Sequence, residues 1–90
     1  MPVAAVDRCL TVLETLAASP TGIALGDLAD RLSLPKSAAF RVLHALADRG
    51  YVDQDAGGER YRLSLKLATL GFRYLDETSL PDLAQHALDA

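Results

Sequence analysis

Residues 25–50 read LGDLADRLSLPKSAAFRVLHALADRG, and this stretch decides the fold. Its first part predicts a short amphipathic helix, because the apolar residues recur on one side: Leu25, Leu28, Ala29 and Leu32. A tight turn follows at residues 33–34, and Pro35 suits the first position of a second helix, where its missing N–H costs nothing. Gly50 is typical of the position just beyond a helix end. The order of short helix, tight turn and longer helix predicts a helix-turn-helix unit.

The segments on either side complete a mainly α fold with a small β-hairpin. After Gly50 the apolar period changes from about 3.6 to about 2, and Gly57-Gly58 lies where a hairpin turn is needed. The predicted helices cover residues 3–18, 25–32, 35–49 and 65–78, and the predicted strands cover residues 51–55 and 60–63. A three-helix core followed by such a wing is typical of a winged helix-turn-helix, here followed by a linker helix.

We expect three parts along the chain. Residues 1–64 form the winged helix-turn-helix domain, residues 65–78 form the linker helix, and residues 79–90 start a following helix. Pro81 breaks the linker helix, and the apolar stripe after it has no closing cap. We therefore expect a C-terminal domain that is absent from this chain.

The net charge of −3 hides a positive middle third. Residues 33–66 carry six basic and four acidic side chains, whereas the segments before and after them are acidic. A local basic face matters more for binding an anion than the total charge does. The charge distribution therefore favours a nucleic-acid partner held by the middle of the chain.

The longer helix of the unit has a buried side and an exposed side. Its apolar spacing predicts a buried stripe of Ala39, Val42, Leu43 and Leu46. On the exposed side, Arg41 can bond a guanine edge bidentately and Phe40 can touch a thymine methyl group. The candidate DNA contacts on this helix are Lys36, Ser37, Ala38, Phe40, Arg41 and His44. Two alternatives stay open: an ordinary solvated helix face, and a Phe40 side chain folded back onto the core.

The hairpin adds two candidate DNA contacts, Arg60 and Arg62. They lie next to the Gly57-Gly58 tip, which lets the backbone approach a partner closely. The wing over residues 55–60 can therefore bind phosphates or enter the minor groove. Because many Gly-Gly hairpins bind nothing, this prediction depends on the helix and the wing occurring together.

The residue pattern disfavours an enzyme, a metalloprotein and a membrane protein. No nucleophile–base pair or phosphate-binding glycine loop stands out, so we expect no catalytic residues and no cofactor. Cys9, His44 and His86 share no metal-ligand spacing. One cysteine cannot form an internal disulfide, which fits a cytoplasmic protein. The apolar runs are far shorter than the roughly 20 residues of a membrane span.

The first and fourth predicted helices have more apolar surface than one small core can cover. The apolar stripes of the first helix span about 180° and those of the fourth about 220°, whereas a helix facing one core needs about 100°. We therefore expect a homodimer. The candidate dimerisation residues are Val6, Cys9, Leu13, Leu67, Leu70, Tyr74 and Leu75. The alternatives are that the two helices pack on each other within one chain, and that Cys9 is plain core.

Several strings, in this order, resemble the isocitrate-lyase-regulator (IclR) family of transcription regulators. They are Val6-Asp7-Arg8, residues 13–17, Leu34-Pro35-Lys36-Ser37 with Arg41, Leu43 and Leu46, Gly50-Tyr51-Val52, Tyr61-Arg62-Leu63, and Leu67 with Leu70-Gly71. The resemblance runs from about residue 3 to residue 90. It implies a prokaryotic regulator that binds double-stranded operator DNA as a dimer, or as a tetramer at full length.

The resemblance also implies roles for particular residues. Lys36, Ser37 and Arg41 would be the main DNA contacts, and Arg8 a phosphate contact. A small-molecule effector would act only through the absent C-terminal domain. Two other functions stay open: a winged-helix module for protein–protein interaction or dimerisation, and a free-standing regulator in which residues 65–90 serve only dimerisation.

Three residues depart from the family pattern. Ala24 replaces a Ser or Thr that caps the second helix, Ser33 replaces a turn glycine, and Ser64 replaces a glycine after the wing. A missing N-cap costs about 1 kcal/mol, so we expect the second helix to depend on packing.

Overall fold

The computed structural model describes residues 3–77. Its elements are α1 (Ala4–Ala17), β1 (Ile23–Ala24), α2 (Leu25–Leu32), α3 (Lys36–Asp48), β2 (Val52–Gln54), β3 (Arg60–Leu63) and α4 (Leu65–Glu77). The four predicted helices and the two predicted strands are confirmed, and their ends agree to within one residue, except that the predicted end of the fourth helix at residue 78 lies outside the described residues. The helix expected to start within residues 79–90 lies outside the described residues.

The core lies where α1, α2 and α3 meet the small sheet. Its buried side chains come from every one of these elements: Val12, Leu16, Ile23, Leu28, Leu43, Leu46 and Val52. The predicted stripe of α3 is confirmed, since Ala39 and Leu43 are fully buried and Val42 packs against the core from its edge. Fully burying a Leu or Val side chain stabilises a fold by about 1.5–3 kcal/mol, so this stripe fixes which side of α3 faces outward.

The sheet has a third strand that the sequence analysis missed. β1 pairs with β3 in the antiparallel sense, and the strand order is β1-β3-β2. Ile23 lies opposite Tyr61, and Ala24 lies opposite Arg60. Because β1 runs directly into α2, this pairing joins the root of the wing to the start of the helix-turn-helix unit.

The turn between α2 and α3 depends on one left-handed residue. Ser33 has φ 54° and ψ 41°, at the position where the family resemblance leads us to expect a glycine. The N–H of Leu34 donates to the carbonyl of Ala29 at 2.9 Å, which closes the end of α2. At the other end, Ala24 provides no side-chain cap, as expected from its methyl group. The packing of Leu28 and Ala29 therefore holds α2 in place.

α4 leaves this body with little contact to the other elements. The alternative in which α1 and α4 bury each other's apolar surface within one chain is therefore wrong. Large apolar side chains of both helices, and of the N-cap residue Val3, face outward; those in the helices are Val6, Leu10, Leu65, Leu70, Phe72, Tyr74 and Leu75. Over residues 3–77, no helix is both long enough and apolar enough to cross a lipid bilayer.

Candidate nucleic-acid interface

The exposed side of α3 is basic in its N-terminal half. Pro35 is the N-cap residue and makes no side-chain cap, and Lys36, Ser37 and Arg41 are exposed. The Lys36 side chain passes over the start of α2, where a β-carbon on Gly26 would lie 3.5 Å from Lys36 Cε. The N-termini of two helices, each with a partial positive charge, thus lie near one ammonium group. This arrangement suits a phosphate group.

Arg41 is only loosely held by its own helix. Its Nε donates to the carbonyl of Ser37 at 3.5 Å, which is long for a hydrogen bond. The guanidinium therefore keeps donors available for a planar acceptor such as a guanine edge.

Phe40 lies on the surface, where it is 45% exposed. Its ring stacks on His44, with the ring centroids 5.6 Å apart and the planes at 21°. The alternative in which Phe40 folds back onto the core is therefore wrong. His44 Nε2 in turn lies 3.7 Å from the Asp48 carboxylate. That acid offsets positive charge in the C-terminal half of α3, so an anion is attracted most strongly to the N-terminal half.

Ala38 does not belong to this exposed side. It is only 8% exposed and lines a groove between α1 and α3. The buried side of α3 thus extends beyond the confirmed stripe to Ala38, because α1 covers α3 from one flank while α2 and the sheet cover it from another. A DNA contact through the Ala38 side chain would need that packing to open.

The groove between α1 and α3 brings two candidate residues together. It encloses about 420 Å³, and Arg8 from α1 lines it together with Arg41 and Arg49 from α3. Cys9, which packs against the core from its edge, also lines this groove. Arg8 also lines a smaller cleft beside Leu34, near the start of α3. The structure thus places Arg8 beside α3 and adds Arg49, whose position in this groove the sequence did not predict.

The wing presents its two arginines on one face. Along β3 the exposure alternates, so Arg60 and Arg62 face outward while Tyr61 and Leu63 pack against the core. Asp53 of β2 lies directly opposite Arg62 and shares its face. The wing is therefore less positive than its arginines alone indicate.

Asp55 orders the wing turn through its carboxylate. Its Oδ1 accepts the backbone N–H groups of Glu59 at 2.9 Å and Arg60 at 3.3 Å. These hydrogen bonds, the Glu59 bond first, lower the pKa of the Asp55 carboxyl below its ordinary value. An aspartate two residues before a Gly-Gly tip is a turn signal that is visible in the sequence itself.

The candidate dimerisation residues fall into two groups. Val6, Leu70, Tyr74 and Leu75 are exposed. Cys9, Leu13 and Leu67 are partly buried, and the first two of these pack against the core. The exposed group provides an apolar surface that one chain leaves uncovered.

Comparison with known proteins adds the family. The model of the IclR helix-turn-helix domain matches residues 5–56, which cover all but the first residue of α1 and all of β1, α2, α3 and β2. The glycerol operon regulatory protein of Streptomyces coelicolor is 37% identical over 70 residues, covering 78% of this chain. The Pca regulon regulatory protein of Pseudomonas putida is 34% identical over 82 residues, covering 91% of this chain. The chain spans 28% of the length of each of these two relatives.

Solved structures agree with the sequence relatives. An IclR transcriptional regulator from Alicyclobacillus acidocaldarius superposes with a TM-score of 0.80 at 30% identity, covering 88% of this chain and 32% of that one. An IclR family regulator from Brucella abortus superposes with a TM-score of 0.74 at 30% identity, covering 93% of this chain and 32% of that one. These relatives are transcription regulators, which at the level of the family supports a regulator rather than an enzyme.

Proposed function

The chain belongs to the IclR family of helix-turn-helix transcription regulators, and we propose that α3 reads the major groove of an operator while the wing contacts the DNA backbone or the minor groove. The observation that carries this proposal is the exposed side of α3, where Lys36, Ser37 and Arg41 surround an uncapped helix start. A winged helix used for protein–protein contact would instead present an apolar or acidic face there. Phe40 favours that second function, but the two cations beside it oppose it.

Base reading is assigned to the middle of α3. Arg41 would hold a guanine edge, and Phe40 would contact a thymine methyl group. His44, stacked on Phe40, would extend the contact along the groove or touch a phosphate. A well-placed bidentate contact discriminates against a wrong base by about 1–3 kcal/mol, so Arg41 would contribute most of the specificity.

The remaining candidates suit phosphates. Lys36 and Ser37 lie at helix starts, Arg8 flanks α3 across the groove, and Arg60 and Arg62 extend from the wing. Contacts of this kind fix the orientation of a protein on the duplex but carry no sequence information directly. We therefore expect these five residues to set affinity and salt dependence.

A homodimer would use the apolar surface of α1 and α4. Val6 is 52% exposed and Tyr74 is 56% exposed, which supports a partner for both helices. A two-fold dimer would place its two α3 helices in successive major grooves, about 34 Å apart or a multiple of that distance. The two copies would thus read a palindromic operator.

The relatives' greater length supports a further division of labour. Residues 1–64 would form the DNA-binding domain, and residues 65–78 would join it to a domain that senses a small molecule. Tetramer assembly and the response to an effector would depend on that second domain. The protein would act in the cytoplasm, where prokaryotic DNA lies.

Binding affinity across a salt series tests the proposed function. A duplex is first selected from a random pool, and its affinity for the 90-residue chain is then measured by fluorescence anisotropy. A dimer that neutralises about six to eight phosphates predicts a slope of log K against log salt of about −5 to −7. A slope near zero, or no duplex bound at low salt, would favour the protein-contact function instead.

A further inference from the structure

One lysine ties the first turn of α4 to the C-terminal end of α3. Lys66 Nζ donates to the carbonyl oxygen of Arg49 at 2.6 Å and lies 4.9 Å from the centre of the Tyr51 ring. Arg49 is the C-cap residue of α3, and α3 has no basic residue in its own last turn. Carbonyls at a helix end carry a partial negative charge, so Lys66 brings a cation from another helix to these carbonyls, next to the Arg49 C-cap. The Tyr51 ring adds a cation–π contact.

Hydrogen bonds of the neighbouring Ser64 hold this lysine in register. The Ser64 hydroxyl donates to the carbonyl of Gly50 and accepts the N–H of Lys66 at 3.2 Å. The N–H of Ser64 donates to the carbonyl of Tyr51 at 3.0 Å. Gly50 has φ +84°, and a β-carbon there would lie 3.2 Å from Lys66 Cδ. Ser64, a departure from the family pattern, therefore caps α4 and joins it to the end of α3.

Among the described residues, the side-chain hydrogen bonds that join α4 and its N-cap to other elements all lie at this end of the helix. The rest of α4 has little contact with other elements, and Leu70 and Tyr74 remain exposed. The contacts at its first turn therefore set the direction in which α4 leaves α3.

We infer that Lys66 is a positioning residue: it fixes the direction of α4 relative to the recognition helix and, in a dimer held by α4, the separation of the two recognition helices. This inference rests on the proposed function, in which α3 reads DNA and α4 contributes to the dimer. Lys66 is one of the six basic residues of segment 33–66. Its ammonium group contacts Arg49 and Tyr51 within the chain, so we do not count it among the DNA contacts.

Two variants of Lys66 and one control isolate the contribution of the ammonium group. Lys66→Met keeps an apolar stem of similar length and removes the donor to Arg49. Lys66→Arg restores both a donor and a cation over the Tyr51 ring. Arg73→Met is the matched control, because it removes one positive charge from the same helix about 10 Å further along its axis.

The first readout is the orientation of α4 in solution. Residual dipolar couplings of backbone amides give the angle between α3 and α4, and the ε-methylene protons of Lys66 report the Tyr51 ring by an upfield shift. We expect Lys66→Met to reduce the magnitude of the residual dipolar couplings of the α4 backbone amides, because α4 would then move relative to α3. Lys66→Arg and Arg73→Met should keep the wild-type angle. Tyr51→Leu, which removes only the ring beneath the ammonium, should abolish the upfield shift.

The second readout is the spacing between two half-sites in the duplex. The wild-type chain should prefer one spacing, whereas Lys66→Met should lose that preference. Its affinity for the best-spaced duplex should fall about tenfold, with affinity for a single half-site within about twofold of wild type. A loss of protein stability alone would weaken binding to both duplexes by the same factor. Lys66→Arg should recover the spacing preference.

The two proposals fail in different ways. If the wild-type chain binds no duplex, the proposed function is wrong, and the dipolar couplings still decide the role of Lys66. If the wild type binds DNA but Lys66→Met keeps both the α4 angle and the spacing preference, the positioning role is wrong. If Lys66→Met does not fold, Lys66→Gln provides the same test, because it removes the ammonium group and with it the cation–π contact and the long donor to Arg49.

Discussion

Asp53 of β2 lies directly across from Arg62 of β3, on the outward face of the wing. The carboxylate offsets part of the positive potential that the wing presents to a phosphate. We expect Asp53→Asn to tighten DNA binding about two- to fivefold near 0.1 M salt, since a unit charge close to a phosphate is worth up to about 1 kcal/mol in water. Anisotropy titrations measure this change.

Glu14→Gln provides the matched control for Asp53. It makes the same charge change on the side of α1 that points away from the buried Val12, and it should leave affinity unchanged. Weaker binding by Asp53→Asn would contradict the electrostatic argument, because it would mean that the carboxylate orders the wing more than it repels DNA.

Arg41→Ala and Arg60→Ala should differ in how their effect on affinity depends on the DNA sequence. We expect Arg41→Ala to weaken binding of the selected duplex by about 1–3 kcal/mol and to relax the preference at one base pair. Arg60→Ala should weaken all sequences alike and reduce the salt slope by about one per protomer. Competition titrations with single-base variants of the duplex separate the two effects. If Arg41→Ala weakened binding to every duplex by the same factor, the proposal that α3 reads bases would be wrong.

The exposed apolar surface of α4 predicts a variant that would separate the proposed dimer. Leu70→Glu would place an unpaired carboxylate in the interface, so we expect the dissociation constant of the dimer to rise at least about tenfold. Thr69→Glu is the control, because it introduces the same charge on the polar side of α4. Sedimentation velocity at micromolar concentrations measures both. A wild-type chain that stays monomeric at high micromolar concentration would exclude this interface for residues 1–90.

The helices could be predicted from the sequence because their signals are local. The apolar spacing of α3 and the residues at its two ends lie within one stretch of chain, and the structure agrees to within one residue. β1 was missed for the opposite reason. It has two residues, too few to alternate, and its partner Tyr61 lies far along the chain from Ile23. Ala38 was misplaced because one helix's periodicity does not reveal how many neighbours cover it.

The link between α3 and α4 was also beyond local reasoning. Lys66 and Arg49 are separated by 17 positions, and their contact depends on how the wing returns the chain to the end of α3. Ser64 stands out in the sequence as a departure from the family pattern. Its role as a cap depends on its contact with Gly50, which only the fold reveals. Contacts between distant parts of the chain, such as this one, therefore emerge only once the fold is known.

The wing turn should lose order at acidic pH. The fold lowers the pKa of the Asp55 carboxyl, chiefly through the Glu59 N–H, so the ionised form is the one that the turn stabilises. This contribution is complete above the carboxyl pKa of the unfolded chain and is lost as the pH falls through the lowered folded pKa. The carboxyl carbon-13 shift of Asp55, followed against pH, measures the midpoint. A midpoint at or above about 3.9, the value of an unstructured aspartate, would contradict the role of these hydrogen bonds.

The turn between α2 and α3 predicts a stabilising substitution. Ser33 holds φ 54°, and a left-handed conformation costs an L residue roughly 1–2 kcal/mol. Ser33→Gly removes that cost. It also gives the unfolded chain more conformational freedom, which lowers the gain in stability by about 0.4–1 kcal/mol. We therefore expect a net gain of about 0.5 kcal/mol in the free energy of unfolding, measured by urea denaturation. Ser33→Val should destabilise, because a β-branched side chain tolerates this conformation poorly. A loss of stability in Ser33→Gly would mean that the serine makes a favourable contribution at this turn that outweighs its backbone strain.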